Sequence, residues 1–295
     1  MNNIAIFGLG AIGSVLTKYL LSNKNNQLFY FNRSPKIAVN ILFENELRIF
    51  PIELSNQKWV PFDWMIICLK AYHLPQAKVS IRQLTGPTTK IAVFRNGLHL
   101  ATDFLDVLPS RNILETIIDC PTQLHPDGYY LQLKEPKITL PENLLAIAFK
   151  ELFTHCEIQI DLIKSFKKNQ WEKLIESSSL GALQVLAGQP CVIFKEPKVL
   201  AEYNKLITEG IVVANADGAN ISTNFKEELL ARLKTYSDQK GSSMLADYLA
   251  GRPLELDAKL GVIIKIGVEQ GVDIPFSKKI YQQLRKLNYW LDSKK

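Results

Sequence analysis

A glycine-rich hexapeptide near the amino terminus is well suited to binding phosphate. It has the spacing Gly-x-Gly-x-x-Gly, directly after the apolar run Ile4–Phe7 and at the start of the helical pattern Ala11–Ser22. In that context the first glycine permits a tight strand-to-helix turn, the second lets the backbone approach a pyrophosphate, and the third lets helix and strand pack closely. Ser14 stands where a P-loop has lysine, which argues against a nucleoside triphosphate. The pattern predicts a dinucleotide site with loop contacts from Gly8, Leu9, Gly10, Ala11, Ile12 and Gly13.

The segment after the second predicted strand bears on which dinucleotide is bound. An NAD site places a carboxylate there to accept hydrogen bonds from the ribose hydroxyls. Here the segment is Asn32-Arg33-Ser34-Pro35-Lys36, which lacks a carboxylate and offers donors to a 2′-phosphate from Arg33, Ser34 and Lys36. We therefore expect NADPH rather than NADH, with Asn32 and Arg33 among the binding residues. The alternative, in which Arg33 and Lys36 are solvated loop charges, stays open.

Further short segments follow the glycine loop in an order that resembles one enzyme family. They are Cys68-Leu69-Lys70-Ala71-Tyr72, Arg95-Asn96-Gly97, Trp171-Glu172-Lys173-Leu174, and Ser242 to Asp247 followed by Leu254 to Asp257. Together with the glycine loop they resemble ketopantoate reductase (2-dehydropantoate 2-reductase) over almost the whole chain. Each motif is short, but their order and similar spacings argue against a chance match.

The resemblance implies an activity and a general acid. The reaction is reduction of a 2-oxo acid by hydride from NADPH, foremost 2-dehydropantoate to pantoate in pantothenate biosynthesis, with Lys173 as the acid. Hydride arriving at a ketone carbon leaves an alkoxide, which a nearby ammonium stabilises and can protonate. Trp171 and Leu174 are expected to anchor the helix, while Ser177 and Gly181 lie on the face of Lys173 and leave space for a substrate. Without the resemblance, Lys173 would be interpreted as a surface lysine.

The resemblance also assigns roles to four other residues. Glu255 matches the family's glutamate at the reacting oxygen, and Asn96 matches the asparagine between nicotinamide and substrate. Ser243 matches the serine that holds the substrate carboxylate, and Lys70 matches a lysine on the cofactor side. Each of three residues also has a purely structural interpretation: a first-turn helix carboxylate for Glu255, a turn residue for Asn96 and a helix cap for Ser243.

The chain departs from the family pattern on the predicted substrate side. Ser177, Gly181, Lys240 and Leu260 stand where the family commonly has asparagine. Ser177 and Lys240 are still expected to contact the substrate, and Lys240 could pair with a carboxylate. These changes leave two alternatives open: a reductase of another, bulkier 2-oxo acid, and a non-catalytic NADPH-binding regulator. Retention of Lys173 and Glu255 argues against the regulator.

The fold expected to position these residues is α/β, with an N-terminal Rossmann-type dinucleotide-binding domain and an all-helical C-terminal domain. Residues 1–163 form the first and 164–295 the second. Buried parallel strands are predicted from the apolar runs Ile4–Phe7, Leu28–Phe31, Trp64–Leu69, Ile91–Phe94, and Ile113–Leu114 with Ile117–Ile118. Helices are predicted at Ala11–Ser22, Leu74–Leu84, Gln170–Leu186, Val199–Ala216, Phe225–Tyr236, Leu254–Gln270 and Ser277–Leu291. Tyr129–Leu133 and Ile138–Leu140, joined through Lys134–Lys137, are expected to add an antiparallel pair.

Composition narrows the remaining classes of function. The 295 residues include 35 Lys and Arg against 29 Asp and Glu, which gives a net charge of +6 and favours anionic ligands. The basic residues are dispersed, so no nucleic-acid partner is expected. The four cysteines and four histidines are scattered, which predicts no metal site and reduced thiols that act as small hydrophobes. Without an apolar span or secretory signal, we expect a cytoplasmic protein with no membrane partner; a homodimer is the assembly considered.

Overall fold

The computed structural model describes residues 1–55 and 62–292. The chain divides into two compact units. The first unit comprises Met1–Arg95 and His99–Phe166, and the second comprises Asn96–Leu98 and Lys167–Lys295. Residues 96–98 thus belong to the second unit, although the residues on both sides of them in the chain belong to the first.

The first unit is built on a parallel sheet. Its strands in chain order are β1 (Asn2–Phe7), β2 (Asn26–Phe31), β3 (Ala38–Phe43), β4 (Glu46–Pro51), β5 (Trp64–Ile67), β6 (Lys90–Val93), β7 (Ile113–Glu115), β8 (Ile117–Asp119), β9 (Thr122–Leu124), β10 (Tyr130–Gln132), β11 (Lys137–Pro141) and β12 (Gln159–Ile163). The main sheet has the order β2-β1-β5-β6-β7, with every neighbouring pair parallel. The predicted Rossmann-type sheet is confirmed.

Both faces of this sheet are buried, which explains the continuous apolar runs of its central strands. Along β1, Ile4 and Ile6 pack into one hydrophobic cluster while Ala5 and Phe7 pack into another on the opposite face. The first unit also contains α1 (Ala11–Leu20), α2 (Leu74–Leu84) and α3 (Leu144–Lys150). Helix α1 connects β1 to β2 and packs in the first cluster, and α2 connects β5 to β6 and packs in the second. Alternation along the strands therefore sends successive side chains to helices on opposite faces.

The predicted antiparallel pair of Tyr129–Leu133 and Ile138–Leu140 is wrong. These segments contain β10 and β11, which lie in different sheets. Strand β10 runs parallel to β3 and antiparallel to β9, whereas β11 runs antiparallel to β8 and parallel to β12. Ile117–Ile118 likewise belongs to β8 and not to the main parallel sheet. Partners far along the chain, which short-range patterns do not reveal, determine these pairings.

The hairpin of β3 and β4 is absent from the sequence prediction. Its two-residue turn, Glu44-Asn45, has positive φ angles of 50° and 64°. That conformation joins twisted antiparallel strands well, but it is normally signalled by Asn-Gly or Asp-Gly. Strand β4 is largely exposed and carries charged side chains, so it also lacks the apolar signal of the buried strands.

The second unit is helical. Its helices are α4 (Phe166–Ala187), α5 (Pro197–Ala216), α6 (Phe225–Lys234), α7 (Ser243–Leu249), α8 (Val262–Glu269) and α9 (Pro275–Asp292). Their apolar faces form one hydrophobic cluster that includes Trp171, Tyr203 and Leu284. The predicted helices are confirmed in place, apart from the missed α7 and the start of α8. The all-helical character follows from 3.6-residue apolar periods that the sequence displays directly.

A π-helical turn replaces the expected start of the helix over Leu254–Gln270. It spans Asp257–Gly261, and the Gly261 N–H donates to the Leu256 carbonyl at 2.8 Å, five residues back. A Cβ on Gly261 would lie 3.2 Å from Asp257 Oδ1 and from the Tyr281 ring. The turn thus inserts an extra residue where side chains from two helical segments crowd the backbone.

The four cysteines are free thiols that pack in or against hydrophobic clusters, as predicted. Burial raises the pKa of Cys156 to about 11, which suppresses its reactive thiolate. Among the described helices, none is both long and apolar enough to cross a membrane.

Removal of the Glu209 carboxylate is expected to destabilise the second unit. Its oxygens accept hydrogen bonds from the Phe276 N–H at 2.9 Å and the Ser277 N–H at 2.6 Å, at the start of α9. Glu209→Ala leaves these donors without the carboxylate and should lower the free energy of unfolding by about 1.5–3 kcal/mol in a urea titration. Glu269→Ala is the matched control, because its exposed ion pair with Lys265 should contribute less than about 1 kcal/mol. Equal effects of the two changes would contradict this capping role.

Candidate active site

The glycine loop makes a turn that side chains would block at two positions. Gly8 has φ +93°, and its N–H donates to the Phe31 carbonyl at 2.9 Å. A Cβ on Gly13 would lie 2.0 Å from the Gly8 carbonyl oxygen. The first and third glycines therefore have the structural tasks that the sequence predicted.

Gly10 differs from the other two glycines because the position that a side chain would occupy is open space. It is the N-cap residue of α1 with φ −76° and ψ −163°, and a Cβ on it would meet nothing within 4 Å. The backbone is therefore accessible at the amino end of a ten-residue helix. This arrangement fits the pyrophosphate of a dinucleotide, which binds against backbone N–H groups at such a helix end.

The residues after β2 divide into two groups. Arg33 and Ser34 are exposed, as expected of side chains that bind a phosphate at the edge of a site. Asn32 instead bridges two loops, because its Oδ1 accepts from the Leu9 N–H at 3.1 Å and its Nδ2 donates to the Ser34 carbonyl at 2.8 Å. Lys36 donates to the Leu9 carbonyl at 2.9 Å, and burial lowers the pKa of this lysine below that of an exposed one. Two of the predicted cofactor-side residues thus contact the glycine loop itself.

Lys70 follows β5, the strand that pairs with β1 in the main sheet. The Cys68 N–H continues this pairing by donating to the Phe7 carbonyl at 2.8 Å. Lys70 is half-buried and precedes a 3-10 helical turn at Ala71–His73. It therefore follows the same carboxyl-terminal sheet edge as the glycine loop, where ligands of open α/β sheets bind.

Helix α4 carries Lys173 on a firmly held scaffold. Trp171 is fully buried and its Nε1 donates to Asp217 Oδ2 at 2.9 Å, while Leu174 lies in the core. The predicted anchoring by Trp171 and Leu174 is confirmed. Lys173 and Ser177 are half-buried, and the Ser177 hydroxyl donates to the Leu174 carbonyl at 3.4 Å. The helix thus carries the lysine at a partly accessible position.

The open substrate space predicted at Gly181 is corrected by the structure. A Cβ there would lie 3.3 Å from Met244 Sδ and 3.4 Å from Ser242 Oγ. Gly181 therefore lets the N-cap and the first turn of α7 pack closely on α4. Leu260, another departure from the family pattern, is 3% exposed and belongs to the hydrophobic core.

Gln184 holds the segment before α7 against α4 and was missed from sequence. It is fully buried, its Oε1 accepts from the Ser242 N–H at 2.8 Å, and its Nε2 donates to the Lys240 carbonyl at 2.8 Å. The available signal was its position three helical turns beyond Lys173 on the same face. This amide fixes the backbone on both sides of Gly241.

The helix-cap interpretation belongs to Ser242 and not to Ser243. The Ser242 hydroxyl accepts from the Leu245 N–H at 3.1 Å. Ser243 is the exposed first residue of α7. Lys240 is also exposed, and its Nζ lies 2.9 Å from the centroid of the Tyr236 ring. The helix-cap interpretation of Ser243 is therefore wrong, and its contact with the substrate stays a prediction.

The buried Glu255 lies on a segment held by side chains from two helices. Arg252 Nε donates to Asp247 Oδ1 of α7 at 2.9 Å, and Asn288 Oδ1 of α9 accepts from the Leu254 N–H at 2.8 Å. Glu255 precedes the π-helical turn, so the first-turn interpretation is wrong. Asn96 Nδ2 donates to Glu255 Oε2 across a long 3.4 Å hydrogen bond. The structure thereby brings two predicted active-site residues together.

Two family models together match most of the chain. The family model described as "Ketopantoate reductase PanE/ApbA" matches residues 4–143, and "Ketopantoate reductase PanE/ApbA C terminal" matches residues 165–288. The chain belongs to the ketopantoate reductase family. The resemblance inferred from the short motifs is therefore confirmed.

Relatives within this family align over nearly their full lengths. The chain is 27% identical over 277 residues to 2-dehydropantoate 2-reductase of Caulobacter vibrioides, covering 93% of this chain and 95% of the relative. A dimeric ketopantoate reductase from Staphylococcus aureus has a similar fold, with a TM-score of 0.88 at 22% identity and coverage of 98% and 99%. A D-mandelate dehydrogenase with NADH and anilino(oxo)acetate reaches a TM-score of 0.87 at 18% identity and the same coverage. The ketopantoate reductase fold thus also occurs in a dehydrogenase of another substrate.

Alanine at the second and third glycines is expected to separate binding from folding. Gly10→Ala enters open space, so the free energy of unfolding should change by less than about 1 kcal/mol while the Kd for NADPH rises at least about tenfold. Gly13→Ala forces a Cβ onto the Gly8 carbonyl and should cost more than about 3 kcal/mol of stability. Urea unfolding and cofactor fluorescence titration measure the two effects. Unchanged NADPH affinity in Gly10→Ala would exclude this loop as the pyrophosphate site.

Proposed function

We propose that this protein reduces a 2-oxo acid with NADPH, foremost 2-dehydropantoate to pantoate. The proposal rests chiefly on the hydrogen bond between Asn96 and the buried carboxylate of Glu255. Both residues match family positions next to the reacting carbonyl, and a buried carboxylate needs polar or cationic partners. Residues 1–163 would bind the cofactor, and residues 164–295 would supply the proton and the substrate contacts.

The cofactor side of the proposal depends on backbone groups and basic side chains. Gly8 to Gly13 would hold the pyrophosphate, since the loop is open at Gly10 and α1 begins there. Arg33 would bind the 2′-phosphate, because it is exposed and its segment, residues 32–36, contains no carboxylate to repel that group. Bound NADPH supplies the hydride that reaches the ketone carbon.

The chemical step requires that charge be neutralised at the carbonyl oxygen. As the carbon–oxygen π bond breaks, the Lys173 ammonium would stabilise the alkoxide and transfer a proton to it, leaving a 2-hydroxy acid and a neutral amine. Glu255 accepts from Asn96 and would, through this amide, orient the reacting carbonyl. Ser243, Ser177 and Lys240 would bind the substrate's carboxylate and hydroxyl groups.

A different 2-oxo acid is the second candidate substrate class. Gly181 is packed against Met244 and Leu260 lies in the core, so neither position offers the amide that the family commonly has. The experiment that separates the candidates follows loss of reduced nicotinamide absorbance with purified protein and a panel of 2-oxo acids. The highest kcat/KM should fall on 2-dehydropantoate; a higher value for another acid would assign that substrate instead. Inactivity across the panel would favour a non-catalytic NADPH-binding regulator.

We also propose a homodimer, because the Staphylococcus aureus neighbour is described as dimeric. Sedimentation velocity would test this assembly, and a monomer at micromolar concentration would contradict it. The cytoplasmic location inferred from the sequence stays a prediction.

Lys173→Ala is expected to reduce turnover while leaving cofactor affinity nearly unchanged. The lysine acts on charge that develops only in the transition state, so kcat should fall by a factor of about 10² to 10⁴. Lys168→Ala is the matched control on α4, since Lys168 forms a 3.7 Å ion pair with Glu172 and has no catalytic assignment. Stopped-flow reduction and NADPH titration measure the two quantities. Near wild-type turnover in Lys173→Ala would refute the mechanism.

Arg33→Ala is expected to remove most of the preference for NADPH. The wild-type Kd should be lower for NADPH than for NADH, because the guanidinium binds a 2′-phosphate that NADH lacks. The variant should raise the Kd for NADPH by about tenfold or more and leave that for NADH within about twofold. A preference that survives the substitution would place recognition of the phosphate elsewhere.

A further inference from the structure

Both backbone polar groups of Leu9, in the glycine loop, are held by hydrogen bonds. Its carbonyl oxygen accepts hydrogen bonds from Ser14 Oγ at 3.1 Å, Lys36 Nζ at 2.9 Å and Tyr130 OH at 3.2 Å. Its N–H donates to Asn32 Oδ1 at 3.1 Å. The three donors to the carbonyl come from α1, from the segment after β2 and from β10. Distant parts of the first unit therefore converge on one loop residue.

Lys36 and Tyr130 also contact each other. The ammonium of Lys36 lies 4.7 Å from the centroid of the Tyr130 ring, within the range of a cation–π interaction. Tyr130 is buried and Lys36 is half-buried. Burial lowers the pKa of Lys36, as expected for an ammonium that has exchanged water for a carbonyl and an aromatic face.

We infer that Lys36 and Tyr130 are positioning residues that aim the Gly10 N–H at the cofactor pyrophosphate, and that Lys36 does not read the 2′-phosphate. This inference rests on the proposed function, because it assumes that the loop binds NADPH. The sequence alone predicts another role for Lys36, as a donor to that phosphate together with Arg33 and Ser34.

Peptide geometry links the held carbonyl to the ligand. The Leu9 carbonyl and the Gly10 N–H belong to one planar peptide unit, in which they point in opposite directions. Donors that fix the carbonyl on the protein side therefore fix the direction of the N–H on the other side. Because Gly10 is open on its side-chain side, a phosphate oxygen can approach this part of the loop.

The positive charge of Lys36 adds to the effect of geometry. An ammonium on the carbonyl oxygen polarises the peptide and strengthens the N–H as a donor. Lys36→Met should therefore weaken every ligand that uses the pyrophosphate site, whether or not it carries a 2′-phosphate. Arg33, exposed on the same segment, should affect only the ligand with that phosphate.

The test compares Kd values for NADPH and NADH in wild type, Lys36→Met, Tyr130→Phe and Arg33→Ala, measured by fluorescence titration. Lys36→Met should raise both Kd values by about tenfold, and Tyr130→Phe should raise both by about threefold, with the NADPH to NADH ratio unchanged. With a turned-over 2-oxo acid, both variants should raise the KM for NADPH by a larger factor than they lower kcat. Thermal unfolding separates stability from binding, since a purely structural role would lower Tm and leave both Kd values unchanged.

Selective loss of NADPH binding in Lys36→Met would overturn the inference, because the lysine would then read the 2′-phosphate. Unchanged Kd values would also overturn it. If Lys36→Met does not fold, Tyr130→Phe decides alone: a parallel loss supports the inference, and unaltered affinities refute it. Failure of the wild-type protein to bind either dinucleotide would refute the proposed function together with this inference, whereas a selective loss refutes only the inference.

Discussion

The glycine-loop end of the first unit depends on the absence of a side chain at Gly13. A Cβ there would overlap the Gly8 carbonyl oxygen, so this glycine sets how closely α1 approaches the end of β1. The same approach brings Ser14 within hydrogen-bonding distance of the Leu9 carbonyl. The conformation of the loop therefore follows from the packing of a helix against a strand, and not from the flexible loop residues alone.

The second unit supports its functional segments by another means. Lys240–Ser242 and Arg252–Glu255 have little regular structure, and buried polar side chains of neighbouring helices hold them. Gln184 and Asp247 perform this task, with exposures of 0% and 4%. Because buried polar groups are costly to leave without partners, these supports constrain the backbone strongly. The exposed side chains of these segments, including those proposed to contact the substrate, can therefore change while the backbone that carries them stays in place.

Sequence predicted the features that depend on local chain chemistry. The glycine spacing, the apolar runs of β1 and β5, and the helical periods of the second unit each carry their own signal. Prediction failed where the partner lies far along the chain, as in the pairing of β10 with β3. It also failed where a single hydrogen bond determines the role of a side chain. Ser242 and not Ser243 caps α7, and Lys36 donates to the Leu9 carbonyl. The role proposed for Lys173 rests on the family resemblance, because periodicity does not distinguish a catalytic lysine from a surface one.

The π-helical turn at Asp257–Gly261 has a consequence for how this segment can change during evolution. An extra residue in a helix rotates everything before it by about 100° relative to everything after it. Here the inserted residue lets Ile263 and Ile266 keep their core face while Glu255 keeps the orientation in which it meets Asn96. Deleting one residue within the turn would change the register between the segment that carries Glu255 and the core face of α8, and would therefore disturb the contact of the glutamate with Asn96. A one-residue change of length at this turn would thus alter the position of the Glu255 carboxylate and would not be structurally neutral.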